Sequence, residues 1–243
     1  KTIVIFLSDH GMPWAMSKWA LYPSGTKTPL IIRWPGQIQP ELRNADAVVS
    51  VVDIAPTIAA ICGIPKMEQV DGLSFVELLS GNTSSWQRRA AFSCFNYMNN
   101  ARELDELYET YPTDLYQQME QYRPSRALNT ARYTYVWNGW SDGETEQPRT
   151  MGSEVPGLLR KNAKHAEDEA YPDYAERADF ILQRVPEELY DVKKDPGCLN
   201  SLALNPEYQS VLESFQQSMI QQLQETGDHE LENYNRRLEG SLN

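Results

Sequence analysis

Lys1-Thr2-Ile3-Val4-Ile5-Phe6-Leu7-Ser8-Asp9-His10-Gly11 is the stretch on which the fold turns. Ile3 to Leu7 is an unbroken run of apolar, mostly β-branched or aromatic side chains. That composition suits a strand buried on both faces of a parallel sheet. In open α/β sheets ligands gather beyond the carboxyl ends of strands, so Ser8-Asp9-His10-Gly11 falls where chemistry is expected. The run opens at residue 1 without an initiator Met, a basic leader or a small-residue cleavage site. The expectation is a start in mid-fold, with any targeting signal upstream.

Working outward, Pro29 to Trp34 is a second strand candidate closed by Pro35-Gly36. Ser50 to Cys62 reads as a helix, with Pro56 tolerated near its first turn and Gly63 as its stop. Leu73 to Leu79 reads as a short amphipathic helical turn. The polar stretch Asn82-Thr83-Ser84-Ser85 marks a boundary. Residues 1–82 are expected to form the carboxy-terminal part of an α/β domain, and residues 83–243 a smaller α+β domain.

In that second part Ala90 to Tyr97 and Ala131 to Trp137 alternate as strands of an antiparallel sheet, with Arg102 to Tyr122 as a helical insertion between them. Glu188 to Val192 adds another strand. The last helix is signalled by Asn205 as N-cap, Pro206 at the first position and Gly227 beyond its end. Its stripe Tyr208, Leu212, Phe215, Met219 and Leu223 recurs every three or four residues, the spacing of a helix covering a sheet. Residues 139–186 look like an insertion, and 228–243 like a mobile tail.

Composition narrows the function. A net charge of −12 over 243 residues argues against nucleic acid, which requires clustered Lys and Arg. No stretch approaches the roughly 20 apolar residues of a membrane span. Net charge leaves room for one recessed pocket in which a single Lys meets a small anion. Cys62, Cys94 and Cys198 lack metal-type spacing. Cys62 and Cys94 read as small buried hydrophobes, and Cys198, after a turn, as exposed.

The residues with chemical potential are Asp9 and His10 at the strand mouth and Lys18 in the following loop. A carboxylate, an imidazole and an ammonium in one short segment can bind a metal and an anion side by side. The plain alternative is a capped turn, since Ser and Asp favour turns, with Lys18 an ordinary solvated lysine. Trp14 and Trp19 flank Lys18 and could pack on a sugar ring or against the core. Arg123 and Arg126 could reach a substrate from the second domain, or instead pair with carboxylates of the 102–122 segment. His165 and His229 are assigned no role.

The surrounding text resembles the sulfatase family of the alkaline phosphatase superfamily. The resemblance rests on Ile3 to Gly11, Lys18-Trp19-Ala20-Leu21-Tyr22, and Thr28-Pro29-Leu30-Ile31-Ile32-Arg33-Trp34-Pro35-Gly36. It continues in order through Val49 to Thr57, Gly63-Ile64-Pro65 and Asp71-Gly72-Leu73-Ser74. Arg126 to Tyr133, Glu188-Leu189-Tyr190-Asp191, Asp195-Pro196-Gly197 and Asn200-Ser201-Leu202-Ala203 follow. Ordered motifs are more specific than any one of them. Met12-Pro13-Trp14 and Leu21 to Thr26 look most like the heparan N-sulfatase (sulfamidase) branch.

The resemblance implies a fold: the carboxy-terminal portion of an alkaline-phosphatase-like α/β domain, then an α+β domain with an antiparallel sheet and a covering helix. It implies a hydrolase of sulfate esters or sulfamates on a sulfated sugar such as a glycosaminoglycan. Asp9 and His10 would be ligands of a divalent metal, usually calcium, and Lys18 would bind the sulfate, with Lys18 and His10 as catalytic groups. Trp14 and Arg126 are further candidates for substrate binding. Calcium prefers oxygen, so Asp9 is the firmer ligand, and His10 could instead meet the sulfate.

The family's nucleophile is a formylglycine made within Cys/Ser-x-Pro/Ala-x-Arg, a motif absent from these 243 residues. The formylglycine is therefore expected upstream, in an amino-terminal remainder of the sulfatase that acts as partner to this chain. The polypeptide alone is expected to be inactive. A periplasmic, extracellular or lysosomal location is what the resemblance implies. The rival readings are a phosphoryl- or phosphonate-ester hydrolase of the same superfamily and a non-catalytic domain of sulfatase fold.

Overall fold

The structure is a computed structural model of the 243-residue chain and describes residues 2–14, 16–65, 69–97, 122–144 and 174–241. The chain forms two compact units. One comprises Lys1–Asp9, Thr28–Phe92 and Asn129–Arg132, and the other His10–Lys27, Ser93–Leu128 and Tyr133–Asn243.

In the first unit, β1 (Val4–Leu7) pairs antiparallel with β2 (Leu30–Arg33), in a register that sets Phe6 opposite Ile31 and Leu7 opposite Leu30. The parallel pairing expected for β1 is thus not found among the described residues. An apolar run cannot reveal the direction of its neighbour, because both sheet types accept it. The face carrying Val4, Phe6 and Ile31 stays open, at 50%, 59% and 61% exposure.

Residues 50–62 begin as a 3-10 turn, Val51–Asp53, and continue as α2, Ile54–Ile61. The turn is built as a capping box: Asp53 Oδ2 accepts the Ser50 N–H at 2.8 Å. Gly63 ends the helix in the left-handed conformation (φ 69°) that glycine adopts without strain. Asp53 is fully buried and also accepts from Leu73 N–H at 2.7 Å and Arg88 Nη2 at 2.6 Å. One carboxylate thereby ties the helix start to the 71–75 segment and to Arg88. The segment after Leu73 forms a 3-10 helix, Val76–Ser80.

The larger sheet has the order β3 (Ala91–Tyr97), β4 (Arg123–Asn129), β5 (Tyr133–Asn138) and β6 (Glu187–Asp191). β5 and β6 run antiparallel, with Tyr135 opposite Leu189. In the second unit α4 (Gln209–Thr226) buries Leu212, Phe215, Met219 and Leu223, and the Phe215 ring stacks on Tyr135 at 5.9 Å. Asn205 caps the preceding turn by accepting the Glu207 N–H at 3.0 Å, and Gly227 closes the helix with φ 63°. The expected cap, stripe and stop are all present.

Two expectations, the mobile tail and the burial of the cysteines, are corrected. Residues 228–243 are not a free tail: α5 (Leu231–Ser241) docks through Tyr234, which is fully buried. The Tyr234 ring meets Trp137 edge-on at 5.0 Å and its hydroxyl lies 2.8 Å from that of Tyr135. Too few apolar residues stand among the charges of this helix for its period to be read. Within the expected insertion at 139–186, Tyr174–Gln183 is a helix, α3. The cysteines are reversed, with Cys62 and Cys94 exposed and Cys198 buried. The Asp195–Cys198 turn points Cys198 inward, where it joins Leu21, Tyr22, Ala127, Val136 and Tyr190 in one core cluster. The expected 102–122 helix lies almost wholly outside the described residues.

Candidate active site

β1 delivers Asp9 at its end, and the chain then crosses from one unit to the other, since Asp9 closes a segment of the first and His10 opens the second. Asp9 is exposed, with the Ser8 hydroxyl donating to Oδ1 at 3.4 Å. His10 is exposed as well, and its Nδ1 lies 2.8 Å from the Gly11 carbonyl oxygen. With Nδ1 as donor to that oxygen, the lone pair of the imidazole resides on Nε2. This second-sphere bond is the one metal-ligating histidines commonly make.

Lys18 sits half-buried in a loop whose backbone is closed on itself. Its N–H donates to Met12 O at 3.0 Å, and the Gly11 N–H donates to Gly25 O at 2.8 Å. The Ser17 hydroxyl donates to Ser24 O at 2.7 Å, and the Ser24 hydroxyl donates to Met16 O. These turns pack so closely that a Cβ on Gly25 would lie 2.1 Å from Ser17 O and 2.4 Å from Ala20 O. One on Gly11 would lie 1.9 Å from Ser24 O. Met16 and Trp19 bracket Lys18 in left-handed conformations, φ 60° and 65°. Non-glycine residues in that region carry strain, which persists where surrounding contacts impose it and which clusters at functional segments.

Trp14 is exposed on this loop. Trp19 is also exposed, with its ring stacked on Phe95 at 6.3 Å. Arg126 differs from its expected role. It is 1% exposed, with Nε and Nη2 on the two oxygens of Asp228 at 2.7 and 2.9 Å and Nη1 on Asn96 Oδ1 at 2.7 Å. Its guanidinium is held inside the fold by a carboxylate from the 228–243 segment. His229, given no role, lies 2.5 Å from the Tyr122 hydroxyl. Ser17, Ser24 and Gly25 carry no site role in the sequence reading, because their closures form only in the fold.

The metal implied by the resemblance can be tested against the donors present. Among the described residues no group of three or more His, Cys, Asp or Glu side chains forms a cage. Asp9 offers two carboxylate oxygens of the kind a hard divalent cation prefers, and His10 offers one imidazole nitrogen. The Asp9 carboxylate is of the type such a cation takes, and the imidazole is not.

A family model described as "N-sulphoglucosamine sulphohydrolase, C-terminal" matches residues 10–129. The chain is 28% identical over 227 residues to an ulvan-active sulfatase of Formosa agariphila, covering 93% of this chain and 38% of that one. It is 29% identical over 153 residues to an endo-4-O-sulfatase of Bacteroides thetaiotaomicron, covering 60% of this chain and 27% of that one. The chain thus spans less than two fifths of the length of these relatives.

Among solved structures, a 2-O GAG sulfatase aligns with TM-score 0.59 at 20% identity, over 93% of this chain and 37% of that one. The phosphonate monoester hydrolase of Agrobacterium radiobacter aligns with TM-score 0.53 at 22% identity, over 90% and 34%. These likenesses show the fold. Together with the ordered motifs and the matched family model, they show that the chain is similar to sulfatases and carries the carboxy-terminal part of the sulfatase fold.

Proposed function

We propose that the chain forms part of a hydrolase that cleaves a sulfate ester or sulfamate on a sulfated sugar, and that Lys18 binds the sulfate group. The observation that carries this reading is the backbone around Lys18: two glycines that admit no Cβ, two serine hydroxyls bonded to the carbonyls of Ser24 and Met16, and two left-handed residues hold one ammonium-bearing position. A preorganised cation stabilises charge as it develops without reorganising at the moment of reaction. Lys18 would hold a sulfate oxygen and favour the charge that builds on the departing atom. Asp9 would ligate a divalent cation, for which calcium is the candidate, with His10 as second ligand or as donor to the sulfate. A bound divalent ion would supply Lewis-acid neutralisation of the sulfate charge. Trp14, exposed on the same loop as Lys18, would offer its face to a sugar ring.

This reading assigns the formylglycine nucleophile to an amino-terminal portion of the sulfatase outside these 243 residues. The open apolar face of Val4, Phe6 and Ile31 is the surface such a portion would cover. Names of the matched relatives support sulfated polysaccharides as the substrate class, and the family model supports an N-sulfated glucosamine in particular. The second reading, hydrolysis of a phosphonate monoester, is favoured by the shared fold of the phosphonate monoester hydrolases of Agrobacterium radiobacter and Silicibacter pomeroyi. The test is hydrolysis by the protein as made in its native host, presented with sulfated oligosaccharides and, separately, a phosphonate monoester. Sulfate release abolished by a chelator and restored by calcium is expected. Preferential phosphonate hydrolysis would replace this reading with the second.

A further inference from the structure

Four residues after Lys18, the Tyr22 side chain enters a buried polar cluster that the proposed chemistry does not use. The Tyr22 hydroxyl donates to Glu188 Oε2 at 2.6 Å and accepts from Arg184 Nη1. Glu188 is fully buried and also accepts from the Tyr190 hydroxyl at 2.6 Å and from Asn138 Nδ2 at 2.7 Å. The Arg184 guanidinium lies over the Tyr22 ring at 4.8 Å, and Tyr190 meets that ring edge-on at 6.0 Å. Arg184 adopts a left-handed conformation, φ 56°, to reach this place. A carboxylate and a guanidinium removed from water are costly, and apolar side chains of similar volume would anchor a loop as firmly. What a fully satisfied polar network adds is a single defined geometry.

A run of backbone hydrogen bonds connects Tyr22 to the loop that carries Lys18. Tyr22 O accepts the N–H groups of Gly25 and Thr26 at 2.8 and 3.0 Å, which forms the turn of α1 (Pro23–Thr26). The turn presents Ser24 to Ser17 and Met16, and packs Gly25 on the carbonyls of Ser17 and Ala20. Lys18 lies between these fixed points.

We propose that Tyr22, clamped by Glu188 and Arg184, is a positioning residue that sets the Lys18 ammonium for an anionic substrate group. The inference rests on the reading of Lys18 as the sulfate contact. Tyr22→Phe removes the one hydroxyl shared by Glu188 and Arg184 and keeps the ring. Arg184→Lys, which keeps the charge and loses the planar fork, serves as a second variant should the first not fold.

Two readouts in the protein as made in its native host separate the clamp from the chemistry. Amide exchange at Lys18 is expected to quicken about tenfold or more in Tyr22→Phe, with α4 amides unchanged. Unaltered Lys18 protection overturns the clamp whatever the activity. In kinetics, Tyr22→Phe is expected to lower kcat/KM about tenfold in the native background and to add nothing to Lys18→Ala. A further loss on top of Lys18→Ala means that Tyr22 acts through something else, and overturns the inference. If Lys18→Ala alone leaves kcat/KM intact, the sulfate role of Lys18 fails, while the exchange result still decides the clamp.

Discussion

Arg126 and Asp228, 102 residues apart in sequence, are joined by two parallel hydrogen bonds at 2.7 and 2.9 Å. The pair fastens β4 to the chain between α4 and α5 within the second unit. Burial pushes the Asp228 carboxyl upward, but its hydrogen bonds to Arg126 and the guanidinium charge pull it further down, so it is held below its ordinary value of 3.8. A depressed carboxylate contributes stability that is present above its unfolded value and lost as pH falls through the folded one. Asp228→Asn is therefore expected to cost about 3 kcal/mol at neutral pH, as breaking a buried pair does. It should also flatten the loss of stability on acidification below the ordinary carboxylate range. Urea unfolding of both proteins across pH 2 to 7 checks this; parallel curves would show that the pair does not titrate with folding.

Asp53 makes a second prediction, confined to the first unit. Its two oxygens serve two backbone N–H groups and Arg88 with no exposure to water. Asp53→Ala leaves those donors and one guanidinium without an acceptor, a loss of about 3 kcal/mol or more. Native-state hydrogen exchange should show the lost protection in residues 50–62 and 73–78 before any change in α4.

Gly25 makes a third. Gly25→Ala drives a methyl group into two carbonyl oxygens, so the loop must open. The expected result is a fall in kcat/KM comparable to that of Lys18→Ala, about 10², because the ammonium loses its fixed approach. Steady-state kinetics on the sulfated substrate decide the matter, and an unaffected kcat/KM would mean that the closed loop is not what fixes Lys18.

Much of this was legible in residues 205–227, where Asn205, Pro206, Gly227 and the apolar stripe all act locally and each appears in its expected place. β1 and β2 were legible as strands but not in their pairing, since a short apolar run carries no sign of direction. The α5 helix was hidden because Tyr234 alone supplies its deepest contact, and one buried ring leaves no periodic trace. Asp9, His10 and Lys18 stand out as candidates from residue type and order. The Ser17–Ser24 and Gly11–Gly25 closures do not, because they join residues 7 or more apart through the backbone. The place of Arg126 is hidden for the same kind of reason: its partner Asp228 is remote in sequence, and a lone Arg on a strand looks alike whether it meets a ligand or a distant carboxylate.

The most direct test of the account is the turnover of a sulfated sugar by the protein as made in its native host, with Lys18 replaced by Ala. Loss of one preorganised charge contact predicts a fall in kcat/KM of about 10² or more, with partial recovery in Lys18→Arg. A Lys18→Ala protein that releases sulfate at a near-normal rate would contradict the assignment.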